Sequence, residues 1–411
     1  MNSIRYHLLL VILLFAATSL SCQPNENNSP NPLILISIDG LKPSYLEHTS
    51  TPVLDSLITR GTYAESLIPV FPTSTFPNHY SLVTGLYAEN TGVISNTMYD
   101  SEMDRWFRLS DRSAVSDGRW YGGEPIWVTA EKADMRTATM FWPGSEAEIA
   151  GHRPTRWFNY DGGMPYEARV DSLVSWLEMG GDKRPDFMTL YFSRVDSRGH
   201  SHGPYTEETL DALTYVDGVI GYLIEELERI GEWPNVNLLL TSDHGMIDLS
   251  DDRLILLDDL IDLDDVNVIN WSPVVMMQPV EGERENVYNQ LKAYEDELNF
   301  NLYYKEDFPE RLRFSDHHRI PDIIMLADLG WTISSRSFYE RRGLLAGTHG
   351  YDNKYEDMHG FFLGIGPDIT ERNRIDSFET VHLYEFMCRL LGLDPAENDG
   401  SLSVLEPIIR K

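Results

Sequence analysis

The stretch "FMTLYFSRVDSRGHSHG", residues 187–203, is apolar from Phe187 to Phe192 and then turns abruptly to acids, imidazoles and glycine. A short apolar run without alternation suits a strand buried on both faces, the kind found in parallel sheets. "PLILISIDG" (32–40) and "NVNLLLTSDHG" (235–245) repeat the pattern, ending at Asp39 and at Asp243-His244. Between such runs the chain is helical: residues 207–229 place Leu210, Leu213, Val216, Ile220, Leu223 and Leu227 on one stripe. Strands alternating with amphipathic helices predict an α/β fold, a mostly parallel central sheet with helices on both faces. Ligands of such sheets bind beyond the carboxyl ends of the strands. All three runs deliver acids there.

Residues 255–345 are less regular, with acidic "LDDLIDLDDVN" and the polar "NLYYKEDFPERLRFSDHHR", and read as a small subdomain inserted into a main domain spanning 33–411. "PDIIMLADLG" and "HGFFLGIGP" read as further strands. At 42% apolar residues over 411 positions, the chain can bury a large core. Its 65 acids against 33 bases exclude a general nucleic-acid-binding surface, which needs a basic face. An anionic substrate would then need local counter-charge, which bound metal supplies.

The N-terminus, "MNSIRYHLLLVILLFAATSLSCQPNENN", has one arginine, a short apolar run and small residues leading to Cys22. It reads as a signal peptide over residues 1–21. Cys22 resembles the lipidated cysteine of a bacterial lipoprotein, and residues 22–32 a flexible tether. These features predict an exported protein, periplasmic or cell-surface, anchored to a membrane of a Gram-negative bacterium. Only Cys388 remains beyond that point, so neither an intrachain disulfide nor a thiolate metal site is expected in the mature chain.

"PVFPTSTFPNHYSLVTGLYAENTGV" (69–93) packs three hydroxyls between prolines and then opens a helix. Thr75, followed by Phe76-Pro77, reads as an N-cap. The sharper alternative, second to the cap on the stretch alone, is a hydroxyl placed among free N–H groups at a positive helix end, where a phosphate gathers. The other candidate groups are hard carboxylates mixed with imidazoles: Asp39, Asp196, His200, Asp243, His244 and His349, each at a strand end or beside a glycine. That donor set suits two zinc ions or a similar divalent pair, able to clamp an in-line displacement at phosphorus.

Taken together, "TSTFPNHYSLVTGLYAENTGV", "SNTMYD", "EPIW", "FWPGSE", "DSRGHSHGP", "TSDHGM", "GTHGYDN" and the closing "ENDGSLSVL" resemble the nucleotide pyrophosphatase/phosphodiesterase family of the alkaline phosphatase superfamily, in its compact bacterial form. The resemblance is collinear from about residue 33 to 405. It implies an alkaline phosphatase-like fold and hydrolysis of nucleotide phosphodiester and pyrophosphate bonds to nucleoside 5′-monophosphates. It further implies Thr75 as nucleophile and metal ligand, with Asp39, Asp243 and His244 on the same metal and Asp196, His200 and His349 on the second. Asn96 would donate to a non-bridging phosphate oxygen, helped by N–H groups at the helix start. Phe76 and Tyr160 would sandwich a base, with Tyr191 lining the same pocket. The reaction would pass through a covalent phosphothreonine on Thr75.

Lys42 and Thr348 depart from common family usage without removing a ligand. His79 is expected to brace the loop, and His202, His317 and His318 to be solvated or supporting. Trp120, Tyr121 and Trp127 read as packing, the acidic run 258–265 as a solvated face, and Glu146 and Asp352 as possible orienting groups. Relatives with the same metal core cleave choline phosphoesters, so a choline-phosphoester or lysophospholipid phosphodiesterase is the alternative. An inactive binding protein is disfavoured by the full set of ligands.

Overall fold

The computed structural model describes residues 30–410. The N-terminal signal, Cys22 and most of the tether therefore lie outside the described residues. Eight strands form the central sheet: β1 (Leu33–Ile38), β2 (Thr62–Ala64), β3 (Thr137–Thr139), β4 (Arg156–Trp157), β5 (Phe187–Phe192), β6 (Asn237–Thr241), β7 (Phe362–Ile365) and β8 (Asn373–Ile375). Their order is β8-β2-β7-β6-β1-β5-β3-β4. All run the same way except β7, which is antiparallel to both β6 and β2. The three runs read from the sequence are the adjacent central strands β5, β1 and β6.

Every side chain of β1 and β5 is buried, as an aliphatic run in a covered sheet requires. Alternate residues serve opposite cores. Leu33, Leu35 and Leu239 pack with α1 (Thr75–Thr84) and the helices Ile126–Lys132 and Leu383–Leu391. Ile34, Ile36, Leu238 and Leu240 pack with α3 (Glu207–Arg229) and the helices Pro52–Arg60 and Tyr166–Leu177. The result is a sheet covered on both faces. Helix α3 has the bounds its periodicity predicts, with Leu213, Val216, Ile220, Leu223 and Leu227 buried and Leu210 half-buried.

Between β6 and β7 the chain builds a second, antiparallel sheet in the order Val266–Asn270, Val274–Pro279, Ile323–Ala327, Phe300–Tyr304. Its two faces also serve different cores. Val275, Met277, Ile323 and Met325 pack inside this region, whereas Val274, Met276, Ile324 and Leu326 join the main core. "PDIIMLADLG" thus supplies a strand of the second sheet, and "HGFFLGIGP" the one reversed strand of the first.

One element was hidden. The residues after β5 form helix α2 (Arg194–His202), which carries Asp196 and His200 one turn apart. Its polar, glycine-containing sequence has little apolar periodicity to reveal a helix.

Candidate active site

Asp39 follows β1 directly, Asp243 and His244 follow β6, and Asp196 and His200 stand on α2 after β5. All lie at the carboxyl end of the sheet. His349 arrives from Gly347–Thr348, which pairs with Ile247–Asp248. Gly40 is required here: its φ is +71°, and a Cβ would lie 2.9 Å from the Asp196 backbone.

Each metal-type histidine is oriented by a carbonyl. Nδ1 of His200 donates to Gly347 O at 2.9 Å, that of His349 to Thr73 O at 2.8 Å, and that of His244 to Gly245 O at 2.9 Å. A carbonyl only accepts, so each Nδ1 carries the proton and each Nε2 presents a lone pair. Those lone pairs converge. His200 Nε2 lies 3.2 Å from His349 Nε2 and 3.3 Å from Asp196 Oδ1. His244 Nε2 lies 3.0 Å from Asp243 Oδ2, 3.5 Å from Asp39 Oδ1 and 3.4 Å from Thr75 Oγ1. Asp39 Oδ1, Asp196 Oδ1 and Asp243 Oδ2 are buried and accept no hydrogen bond.

Lone pairs facing buried carboxylates repel unless a cation lies between them, so the donor set fits divalent metal. Asp196, His200 and His349 form one convergent group, and Asp39, Asp196 and His244 another. Burial and the neighbouring Asp243 and Asp196 charges hold the Asp39 carboxyl well above the ordinary carboxylate range. Burial, His244 and His200 keep His349 well below the ordinary imidazole range, neutral as a ligand must be. Asp243 goes the other way: burial opposes ionisation, but in metal-free protein the His244 and His79 imidazoles, when protonated, outweigh it.

His79 also lies close, with Nδ1 3.2 Å from Asp243 Oδ2. Both its nitrogens are committed: Nδ1 to Thr75 O at 2.9 Å and Nε2 to the Ser37 hydroxyl at 2.7 Å. It braces the loop, as expected, and has no lone pair left for a cation.

The reading of Thr75 as an N-cap is corrected. Ser74 occupies the N-cap of α1, Thr75 is the first helical residue, and neither side chain caps the helix. Asn78 holds the loop instead. Its Nδ2 donates to the carbonyls of Val70, Pro72 and Ser74, and its Oδ1 accepts from Val70 N. The expected cradle of helix-start N–H groups is also thinner than predicted. Phe76 N–H donates to Asn96 Oδ1 at 2.9 Å, and Pro77 has none to give. That bond leaves Asn96 Nδ2 as the side chain's available donor. Thr73 ties this loop to the one that carries His349: its Oγ1 donates to Tyr351 O and accepts from Gly350 N, both at 3.0 Å.

A cavity of about 320 Å³ opens from these groups. Thr75, Asn96, Asp39, Asp196, His200 and His349 line its inner end, and Phe76, Tyr160 and Tyr191 line it too. Tyr160 is 42% exposed, and its backbone N–H is held by Glu146 Oε1 at 3.1 Å. Glu146 also pairs with Arg112 and so orients a wall of the cleft. Tyr191 plays a different part: its hydroxyl donates to Asp39 Oδ2 and its ring meets His79 edge-on at 5.2 Å. Phe141 and Trp142 complete the wall; only the "FWPGSE" motif hinted at them.

Several side chains stand elsewhere. Asp352 binds Arg311 and Lys354 and does not line this cavity. Lys42 is buried and donates to Met246 O at 3.2 Å and to Asp357, supporting the turn after His244. Trp120, Tyr121 and Trp127 are core residues, and His202 is exposed. His318 binds Asp100 at 2.9 Å.

Residues 33–352 match the family model described as type I phosphodiesterase/nucleotide pyrophosphatase. Ectonucleotide pyrophosphatase/phosphodiesterase family member 1 of Rattus norvegicus is 39% identical over 94% of this chain and 44% of its own length. Venom phosphodiesterase CdcPDE of Crotalus durissus collilineatus is 38% identical over 92% of this chain and 46% of its own length. The chain thus spans less than half the length of these curated relatives. An inactive Thr-to-Ala form of murine ectonucleotide pyrophosphatase/phosphodiesterase 5, in complex with AMP, superposes with a TM-score of 0.88 at 33% identity. That likeness covers 92% of this chain and 100% of the murine one. By sequence and by structure, the chain belongs to the type I phosphodiesterase/nucleotide pyrophosphatase family.

Proposed function

We propose that the chain is a metal-dependent hydrolase of nucleotide phosphodiester and pyrophosphate bonds that releases nucleoside 5′-monophosphates, with Thr75 as nucleophile. The observation that carries this reading is the convergence of three imidazole lone pairs and three unpartnered carboxylate oxygens, one of the imidazoles 3.4 Å from the Thr75 hydroxyl, in an aromatic-walled cleft. Asp39, Thr75, Asp243 and His244 would hold one divalent ion, and Asp196, His200 and His349 a second; zinc suits both sets. Bound there, such ions neutralise the phosphate and lower the proton affinity of a hydroxyl oxygen.

The rest falls to the chain. Thr75 Oγ1 attacks phosphorus, forming a phosphothreonine as the bond to the leaving oxygen breaks. Water then attacks that ester, freeing Thr75 and the nucleoside monophosphate. Asn96, its oxygen occupied by Phe76 N–H, offers Nδ2 to a non-bridging oxygen as charge develops. Phe76 and Tyr160 hold the base, Glu146 fixes Tyr160, and Tyr191 fixes Asp39. The AMP complex of the murine relative supports a nucleotide in this place.

Thr75→Ala, fully metal-loaded, should lose at least about a thousandfold in turnover while its melting temperature is retained. Rapid acid quench with phosphorus-labelled substrate should leave label on wild-type Thr75. Substantial turnover by the folded variant overturns the covalent mechanism. Faster turnover of a choline phosphoester than of a nucleotide aryl diester or ATP replaces the nucleotide reading with the choline one. We also propose that residues 1–21 are a cleaved export signal and Cys22 the lipidated N-terminus, placing the enzyme outside the cytoplasm on a membrane. The intact mass of the mature protein tests this.

A further inference from the structure

The cleft does not end at the candidate metal ligands. A second cavity of about 180 Å³ begins on their far side, sharing Asn96, His200 and His349 with the first and bounded by Ser272 and Thr348. Those last two residues also line a third cavity of about 440 Å³. Its walls are largely hydrocarbon: Leu249, Trp271, Ile333, Phe338 and Leu345. Trp271 is 37%, Phe338 51% and Leu345 53% exposed, a concentration of large apolar surface that water alone does not favour. Its polar side chains near the junction satisfy one another. Thr332 donates to Ser272 Oγ at 2.8 Å, and Ser272 Oγ also accepts from Ile333 N at 3.0 Å. Apart from the Arg342 side chain, which also lines the groove, the surface offered to a ligand there is mainly apolar.

We propose that this groove is the subsite for the leaving half of the substrate and that it selects an apolar leaving alcohol, alkyl or aryl. The inference rests on the proposed hydrolysis at Thr75. In that reaction the nucleotide occupies the cavity lined by Phe76 and Tyr160. The departing oxygen leaves on the side of Asp196, His200 and His349. Whatever is attached to that oxygen enters the second cavity, past Asn96 and the two histidines, and emerges over Ser272 and Thr348 onto Trp271 and Phe338. The groove wall and the ligand loop are covalently close. Phe338 lies on the helix Arg336–Arg342, and Leu345 four residues before His349.

The test uses the full mature chain, zinc-loaded, and a series of thymidine 5′-monophosphate esters of methanol, octanol, glycerol and 2-(naphthyl)ethanol. Methanol, octanol and 2-(naphthyl)ethanol ionise in a similar range, so differences among their esters report binding of the leaving half rather than its chemistry; glycerol, somewhat more acidic, serves as the polar control. Octyl and naphthylethyl esters should exceed the methyl ester in kcat/KM by at least about tenfold, with glycerol near methyl. Trp271→Ala/Phe338→Ser and, separately, Leu345→Ser should erase that advantage while leaving the methyl ester unchanged, which also shows the variants are folded. A preference for only one of octyl and naphthylethyl identifies the alkyl or the aryl form of the same subsite. Equal rates across the wild-type series overturn the inference, as does an apolar advantage that survives both variants. If every ester of the series is inert, the proposed hydrolysis itself fails and the subsite falls with it.

Discussion

Two buried carboxylate clusters in this molecule are treated in opposite ways. At Asp100 the chain supplies the counter-charge itself. Arg319 Nε donates to Asp100 Oδ2 at 2.6 Å, His318 adds a bond at 2.9 Å, and Glu102 and Met103 N–H groups occupy the other oxygen. Arg319 spends its remaining donors on the carbonyls of Gly92, Arg119 and Trp120. Against the cost of burial, these bonds pull the Asp100 carboxyl well below the ordinary range. At Asp39 and Asp243, which are buried, and Asp196, which is half-buried, no arginine or lysine among the described residues pairs with the acids, and one oxygen of each accepts no hydrogen bond. The difference is instructive because the chain is capable of neutralising a buried acid and does so elsewhere. Where it leaves three together with imidazole lone pairs, the arrangement fits a cation from outside.

The comparison can be broken most severely at Arg319. Arg319→Met strands Asp100 in the interior and should cost about 3–5 kcal/mol of unfolding free energy by denaturant titration. Zinc-induced stabilisation should be unaffected. Loss of the zinc response together with stability would mean that the two clusters are not independent.

Asp39→Asn should do the reverse in metal-free protein, raising stability by about 2 kcal/mol at pH 7 because one of three crowded buried charges disappears. The amide keeps an acceptor for Tyr191 and turns a donor toward His244 Nε2. The sign follows from Asp39's raised carboxyl: the folded state holds its proton longer than the unfolded chain, so ionisation progressively costs stability as pH climbs above about 3.9. The variant's advantage should therefore vanish below about pH 4. Zinc should stabilise the wild type and stabilise the variant much less. A metal-free Asp39→Asn protein weaker than wild type at pH 7 would show that the carboxylate is satisfied by the chain alone.

The orphaned cluster was far more legible in sequence than the satisfied one. Asp39 and Asp243-His244 stand directly at the ends of uninterrupted apolar runs, and sheet geometry brings strand ends together regardless of loop length. Asp100 and Arg319 are 219 residues apart, and neither lies in a periodic segment, so nothing local announces their bond. The same limit hid the Tyr191 hydroxyl's contact with Asp39 and the Glu146 hold on Tyr160, which are matters of side-chain direction. Thr75 was misplaced by one helical position because Ser74 and Thr75 are both good capping types, and the actual brace, Asn78, lies inside the helix. The second sheet escaped a strand-by-strand reading because its faces serve two different cores, which removes the clean alternation of a half-exposed sheet.

The bonds around Thr73 carry a consequence for how such a site fails. Thr73 stands two residues before Thr75, the proposed nucleophile; its carbonyl holds His349, and its hydroxyl bridges Gly350 and Tyr351. The loop that presents Thr75 and the loop that delivers His349 are therefore tied to each other by these bonds. A local opening or proteolytic nick near residues 343–350 would free both together. Damage there would leave the rest of the fold standing while Thr75 and His349 lose their mutual support.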